Sequence, residues 1–334
     1  MYKQLTIISF VSIFLILSAC LKSEYNVDKG IFVKEHILAS FKDNYYDICI
    51  TDSFVIFLDN KSDTTLQIYK NNDFSKLYQI YNSGNNINLK FSHPQFSKSA
   101  ILDLNTNSLL MVNNNSIYKI LIASNENYNN ISIVKDKSLM TLVSSTNYNI
   151  TSKNIFGVPL LYNENKLFYS YNNGNYTWTK PDSVLPNYFS NISNVYLSNL
   201  CLNERANIIV SSLRFVNCIT FTNMDIKKKI SIIIGENIIP PKLDNRGNVD
   251  ILNTNKYFID MYATSRYVYC LYDGTNDYSS CSTILIFDWK GKHIKNIKTN
   301  SYIKKIAVDR TDSYIIALVK NKSNSQDIVK YMLP

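Results

Sequence analysis

Residues 266–291 read RYVYCLYDGTNDYSSCSTILIFDWKG. An apolar run rich in aromatic and β-branched residues, a polar loop, and a second apolar run ending near an aromatic together signal a β-hairpin. The layout recurs in SFVIFLDNKSDTTLQIYK (53–70) and SYIIALVKNKSNSQDIVKYML (313–333), and more loosely at 108–122, 166–179 and 207–222. The middles of the first runs, Val55, Leu110, Phe168, Ile209, Val268 and Ile315, stand roughly 50 residues apart, enough for four strands with their connections. Six such units fill most of the chain. Two sandwich domains would not explain six similar hairpins, and a solenoid would need shorter, more uniform repeats. The expectation is one all-β domain over 31–334, a six-bladed β-propeller of four-stranded antiparallel blades. The last unit offers only two clear strands, at 313–319 and 327–333. The strand-like stretch IFVKEHILAS (31–40) is therefore expected to join it, so that N- and C-terminal strands close the ring.

The beginning of the chain reads as an address. Residues 1–20 are MYKQLTIISFVSIFLILSAC, with Lys3 ahead of an apolar run from Leu5 to Leu17. That run is short for a membrane span and fits the hydrophobic region of a signal peptide. It ends in Leu17-Ser18-Ala19-Cys20, which resembles the bacterial lipobox. The resemblance implies a signal peptide over 1–19, lipidation of Cys20, and a polar tether over 20–30. It also implies a membrane partner held through that anchor. Localisation follows as the cell envelope, lipid-anchored, facing the periplasm or the exterior.

A family resemblance carries further residues. The Tyr-x-x-x-Leu-Tyr-x-Gly run from Tyr267 to Gly274, then ILIFDWKGK (284–292), then the Val308-Asp309 pair, resemble the last blades of the TolB-like six-bladed propeller lipoproteins of Gram-negative bacteria. FSHP at 91–94 resembles the Phe-x-x-Pro start of that family's second blade. The Gly-rich turn often found before it is reduced here to Gly84 and Asn-rich chain. The resemblance implies the propeller fold and the lipid anchor and names no ligand.

Composition excludes several chemistries. The 334 residues carry a formal net charge of +9, with 46% hydrophobic and 18% charged residues, which permits a sizeable core. His36, His93 and His293 are isolated, and no H-x-x-H, H-E-x-x-H or C-x-x-C occurs, so no metal or other cofactor is expected. No acidic position is seen to recur from unit to unit, which argues against an axial calcium site. There is no G-x-S-x-G, and eight Gly leave little for phosphate-cradling loops. The positive charge is diffuse apart from Lys227-Lys228-Lys229, so no nucleic acid partner is expected. Cys270 and Cys281 lie on opposite arms of one hairpin, either as a disulfide or as two buried thiols.

What remains is a surface. Tyr171, Tyr176 and Trp178 cluster around the Asn172-Asn173-Gly174 turn, and Tyr278 lies in the 273–282 loop. They are candidate ligand-binding aromatics that could stack on a sugar ring or a peptide, or else pack between blades. Asp63-Thr64-Thr65 and Asp182-Ser183-Val184 resemble acceptor triplets for O-glycosylation, with Thr64 and Ser183 the candidate hydroxyls in expected loops. The reading favours a binding or scaffolding module for a protein or glycan partner, with no catalytic residue assigned. The alternative is a propeller-type hydrolase or lyase with its site at the tunnel mouth, and convergence of Asp, Glu or His side chains there would favour it.

Overall fold

The computed structural model describes residues 27, 29–41, 45–59, 64–81, 94–100, 108–113, 116–122, 131–138, 145–159, 166–192, 194–277, 282–321 and 325–334. Two strands come first, β1 (Ile31–Phe32) and β2 (Glu35–Phe41). Blade 1 then runs β3 (Tyr45–Ile50), β4 (Phe54–Asp59), β5 (Thr64–Lys70), β6 (Lys76–Tyr81). Blade 2 begins at β7 (Gln95–Phe96), sends off β8 (Ser99–Ala100), and continues with β9 (Ser108–Asn113), β10 (Ser116–Ile122) and β11 (Ile131–Ser138). Blade 3 holds β12 (Ser145–Ile150), β13 (Ile155–Pro159), β14 (Phe168–Asn172) and β15 (Asn175–Thr179). Blade 4 holds β16 (Ser198–Asn203), β17 (Ile208–Leu213), β18 (Cys218–Asn223) and β19 (Lys229–Ile233). Blade 5 holds β20 (Lys256–Ala263), β21 (Tyr267–Thr275), β22 (Thr283–Asp288) and β23 (His293–Lys298). Blade 6 holds β24 (Tyr302–Val308), β25 (Tyr314–Lys320) and β26 (Gln326–Met332). Its fourth strand is β2, antiparallel to β26 with Glu35 opposite Tyr331 and Phe41 opposite Gln326.

The fold is therefore a six-bladed β-propeller, closed by strands from both ends of the chain as expected. The two-residue β1 behaves differently from the rest of 31–40. It adds in parallel to β23, on the outer edge of blade 5. In blades 1, 2, 4, 5 and 6 the marker residues Val55, Leu110, Ile209, Val268 and Ile315 fall on second strands. In blade 3, Phe168 lies on the third strand. The second strand there, IFGVP, is short and carries Gly157 and Pro159, which hide its strand character.

Apolar layers between blades hold the ring together. One buried cluster joins blades 5, 6 and 1, and the others join blades 1–2, 2–3, 3–4 and 4–5. Every residue of β4 and β20 is buried, since their sheets are covered by neighbours on both faces. Cys270 lies in such a layer as a free, buried thiol, and Cys281 falls outside the described residues.

Candidate functional site

The inner strands meet at the ring's centre, and their polar residues form a linked set. Asp47 Oδ2 accepts from Phe96 N of the next blade at 3.1 Å, and Ser97 Oγ accepts from Ile150 N at 3.1 Å. Asn149 donates to Leu200 O at 2.7 Å and Asn199 to Phe258 O at 2.9 Å. Asp260 Oδ2 accepts from Ile306 N at 3.0 Å. The circuit returns through Gln326, which accepts from Tyr45 N and donates to Tyr45 O. Blades 1 to 5 are thus each bonded to the next through a side chain at the inner strands, and blade 6 to blade 1 through Gln326 of its third strand, which satisfies buried backbone groups. A polar position does recur from blade 1 to blade 5, as Asp47, Ser97, Asn149, Asn199 and Asp260, and only two of the five are acidic. The uneven unit spacing conceals it in the sequence.

The centre itself is filled. After β7 the chain leaves blade 2, and β8 lies parallel to β16, with Ser99 opposite Leu202. This carries Lys98 inward, where its ammonium lies 2.8 Å from Asp260 Oδ1 and 3.5 Å from Asp47 Oδ1. Lys305 Nζ approaches the same Asp260 oxygen at 3.0 Å. Two cations and two carboxylates balance. Burial pulls Lys98 towards neutrality, but Asp260 and Asp47 outweigh it and hold its ammonium above its ordinary range. Burial likewise pushes the Asp260 carboxyl up, while Lys305 and Lys98 overcome this and hold it below its ordinary value.

A depression of about 280 Å³ opens above this cluster, walled by Tyr46, Gln95, Phe96 and Asn147, with Lys98 and Lys305 at its base. Tyr46 is fixed by donating to Pro94 O at 2.9 Å. Lys305 is the accessible charge, with 28% of its side chain exposed and one N–H given to Asp260. The two carboxylates face lysines, and among the described residues no three His, Cys, Asp or Glu side chains gather as a metal site would need.

The depression lies at the end of the ring where inner strands begin. The connection from β19 to β20, residues 234–255, emerges at the same end and is firmly held. Asn217 donates to Ile234 O at 2.6 Å and Asn237 O at 2.8 Å, and accepts from Ile239 N at 2.9 Å. The buried Lys256 donates to Leu252 O and Asn276 O. Asp244 caps Arg246 N and Asn248 N, and Thr254 brackets Lys242. So braced, the insert exposes Ile239, Leu243, Ile251 and Leu252, the last with 82% of its surface in solvent.

The residues singled out from sequence lie elsewhere. Tyr171, Tyr176 and Trp178 sit on the outer hairpin β14–β15 of blade 3, whose Asn173-Gly174 turn has positive φ at both residues. They pack on one another and on Tyr169, with ring centroids 4.9 Å (Tyr171–Tyr176) and 5.4 Å (Tyr169–Trp178) apart, and Lys166 lies 4.5 Å above Trp178. This turn belongs to the opposite end of the ring from the loop after β21. Tyr278 in that loop falls outside the described residues, as does Cys20. Thr64 is the first residue of β5, opposite Tyr81, rather than a loop residue. Ser183 is exposed in a turn where its hydroxyl donates to Asp182 at 3.3 Å, and Asp182 also accepts from Ser231 Oγ at 2.6 Å.

The architecture defines a six-bladed propeller with a filled centre and a polar depression on one end. The chain matches no family model, and no curated protein matches it. Among solved structures it is similar to U3-55K, with 9% identity, 90% of this chain and 98% of that chain covered, and a TM-score of 0.47. It is also similar to the RRP9 WD40 repeats, with 8% identity, coverage of 90% and 97%, and a TM-score of 0.46. KlHsv2 with its loop 6CD replaced by a Gly-Ser linker gives 10% identity, coverage of 84% and 81%, and a TM-score of 0.35.

Proposed function

We propose that this protein is a lipid-anchored envelope module that binds a partner protein across the end of the ring bearing the depression. The carrying observation is the juxtaposition at that end of a rigid apolar insert and a depression with an accessible lysine at its base. Exposed Ile239, Leu243, Ile251 and Leu252 on a braced loop form an apolar patch of the kind that partners cover. Lys305 keeps N–H donors for an acidic side chain lowered into the depression. Aliphatic side chains favour a protein over a glycan here, because sugar rings stack on aromatic faces. The anchor rests on the lipobox-like Leu17–Cys20, and the TolB-like relationship on Tyr267–Gly274 and 284–292. In this reading Cys20→Ala releases the protein from the membrane fraction.

Co-purification from solubilised envelope tests the binding face. The partner recovered with the native chain should be lost with Leu252→Asp and with Lys305→Gln, and kept with Tyr176→Ala. Retention in the first two with loss in the third would overturn the assignment.

A further inference from the structure

We propose that the outer rim of blades 5 and 6 lies against the membrane surface, its apolar side chains inserted among anionic headgroups and its lysines paired with them. The argument rests on the lipid-anchor reading for how the rim reaches the bilayer, and on the fold for which rim it is. The N-terminal chain runs around this edge. Val27 packs against the layer between blades 4 and 5, Asn296 donates to Lys29 O at 2.8 Å, and Val33 N donates to Lys298 O at 3.1 Å. From Cys20 to Val27 is seven residues, which reach at most about 25 Å when extended. A lipid on Cys20 therefore keeps Val27, and with it the blade 5 edge on which the chain continues, within about that distance of the headgroups.

The rim has the surface for the contact. Ile31 and Phe32 are 47% and 67% exposed, Ile37 is 57% exposed and Met332 58%. They stand on the outer parts of the adjoining blades 5 and 6. Phe32 lies opposite Lys298, Glu35 opposite Tyr331, and Lys295 donates to the C-terminal Pro334 O at 2.7 Å. Exposed Lys29 and Lys34 flank the apolar residues in the chain. Apolar side chains ringed by lysines are the combination that holds a surface to anionic lipid, and Phe is suited to the interface. The docking end of the ring is left free, since the rim is the side of the disc.

Tryptophan fluorescence in reconstituted vesicles decides it. Full-length protein carrying Phe32→Trp, Ile37→Trp or Tyr188→Trp is placed in vesicles of phosphatidylcholine and phosphatidylglycerol, with and without brominated acyl chains. Tyr188 is 54% exposed on the blade 3–4 side and serves as the distant position. The proposal expects a blue shift and loss of emission at 32 and 37 and no change at 188, measured over the native protein's signal. The second rim position covers the case in which one variant misfolds. Protein that co-floats with vesicles but shows no quenching at 32 and 37 would overturn the docking while leaving the anchor intact. Equal quenching at all three positions would also overturn it. If intact mass shows no lipid on Cys20, the anchor reading fails. The same quenching at raised vesicle concentration then supports the docking, and its absence overturns it.

Discussion

Lys98 is the residue on which the centre depends. Its ammonium bridges Asp260 and Asp47 with 5% of its side chain exposed. Removing one member of a buried ionic group leaves its partners without compensation, which typically costs about 3–5 kcal/mol. Lys98→Met should therefore lower the unfolding free energy by that amount, read as a fall in the urea midpoint, while exposed Lys290→Met should leave it unchanged. The pH dependence follows from the same contacts. The depressed Asp260 contributes stability that is present above the ordinary carboxylate range, near pH 4, and is lost as pH falls through its lower folded value. The raised Lys98 contributes stability that is complete below its ordinary value of 10.5 and is lost as pH rises through its folded value. A plateau from about pH 4 to about pH 10 is expected, with Lys98→Met flattening its alkaline edge. The cysteines make a separate residue-scale prediction. Burial pushes the Cys49 thiol up to about 11 and Cys218 up to about 12, and holds Cys201 and Cys270 higher still. Iodoacetamide mapping by mass spectrometry at neutral pH should leave all four unlabelled until the protein is unfolded.

At the scale of elements, the turns after the inner strands of blades 1, 3, 4, 5 and 6 repeat one device. Thr51 Oγ1 accepts from Phe54 N at 3.1 Å, Thr151 from Asn154 N at 2.8 Å, and Thr264 from Tyr267 N at 3.1 Å. Asn203 accepts from Ala206 N at 3.0 Å, and Asp309 from Tyr314 N at 2.7 Å. A short polar side chain closes the turn and aims the second strand outward. Thr264→Ala should cost about 1 kcal/mol, read as a shift in urea midpoint. This device also shows what was legible in the sequence. Hairpins such as 266–291 stand out because their apolar runs are long and uninterrupted. The inner strands do not, because they carry the polar residues of the centre: Asp47, Asn149, Asn199 and Asp260 interrupt the apolar pattern. A Thr, Asn or Asp a few residues before the second strand was the available signal for placing them. The depression was illegible for another reason. Tyr46, Gln95, Asn147 and Lys305 come from four separate blades, and only ring closure brings them together. Local aromatic clustering pointed instead to Tyr171, Tyr176 and Trp178, which pack on one another and on the apolar layer between blades 2 and 3.

At the scale of the molecule, closure by β2 makes the N-terminal chain part of the last blade, so the ring should behave as one cooperative unit. Deleting residues 31–41 removes the outer strand of blade 6 and exposes β26 along its length. Fluorescence and far-UV circular dichroism should then report one shared loss of stability in urea, and a transition confined to one probe would contradict closure. The functional claim belongs to this scale too, since it assigns the partner to one end of the disc. Site-specific photo-crosslinking in the native envelope tests it most directly, with benzoylphenylalanine replacing Tyr46 at the depression, Leu252 on the insert, or Tyr176 on the outer hairpin of blade 3. The account predicts one partner captured from positions 46 and 252, absent at 176, and lost when Lys305→Glu is added. Capture from 176 with none from 46 and 252 would contradict it.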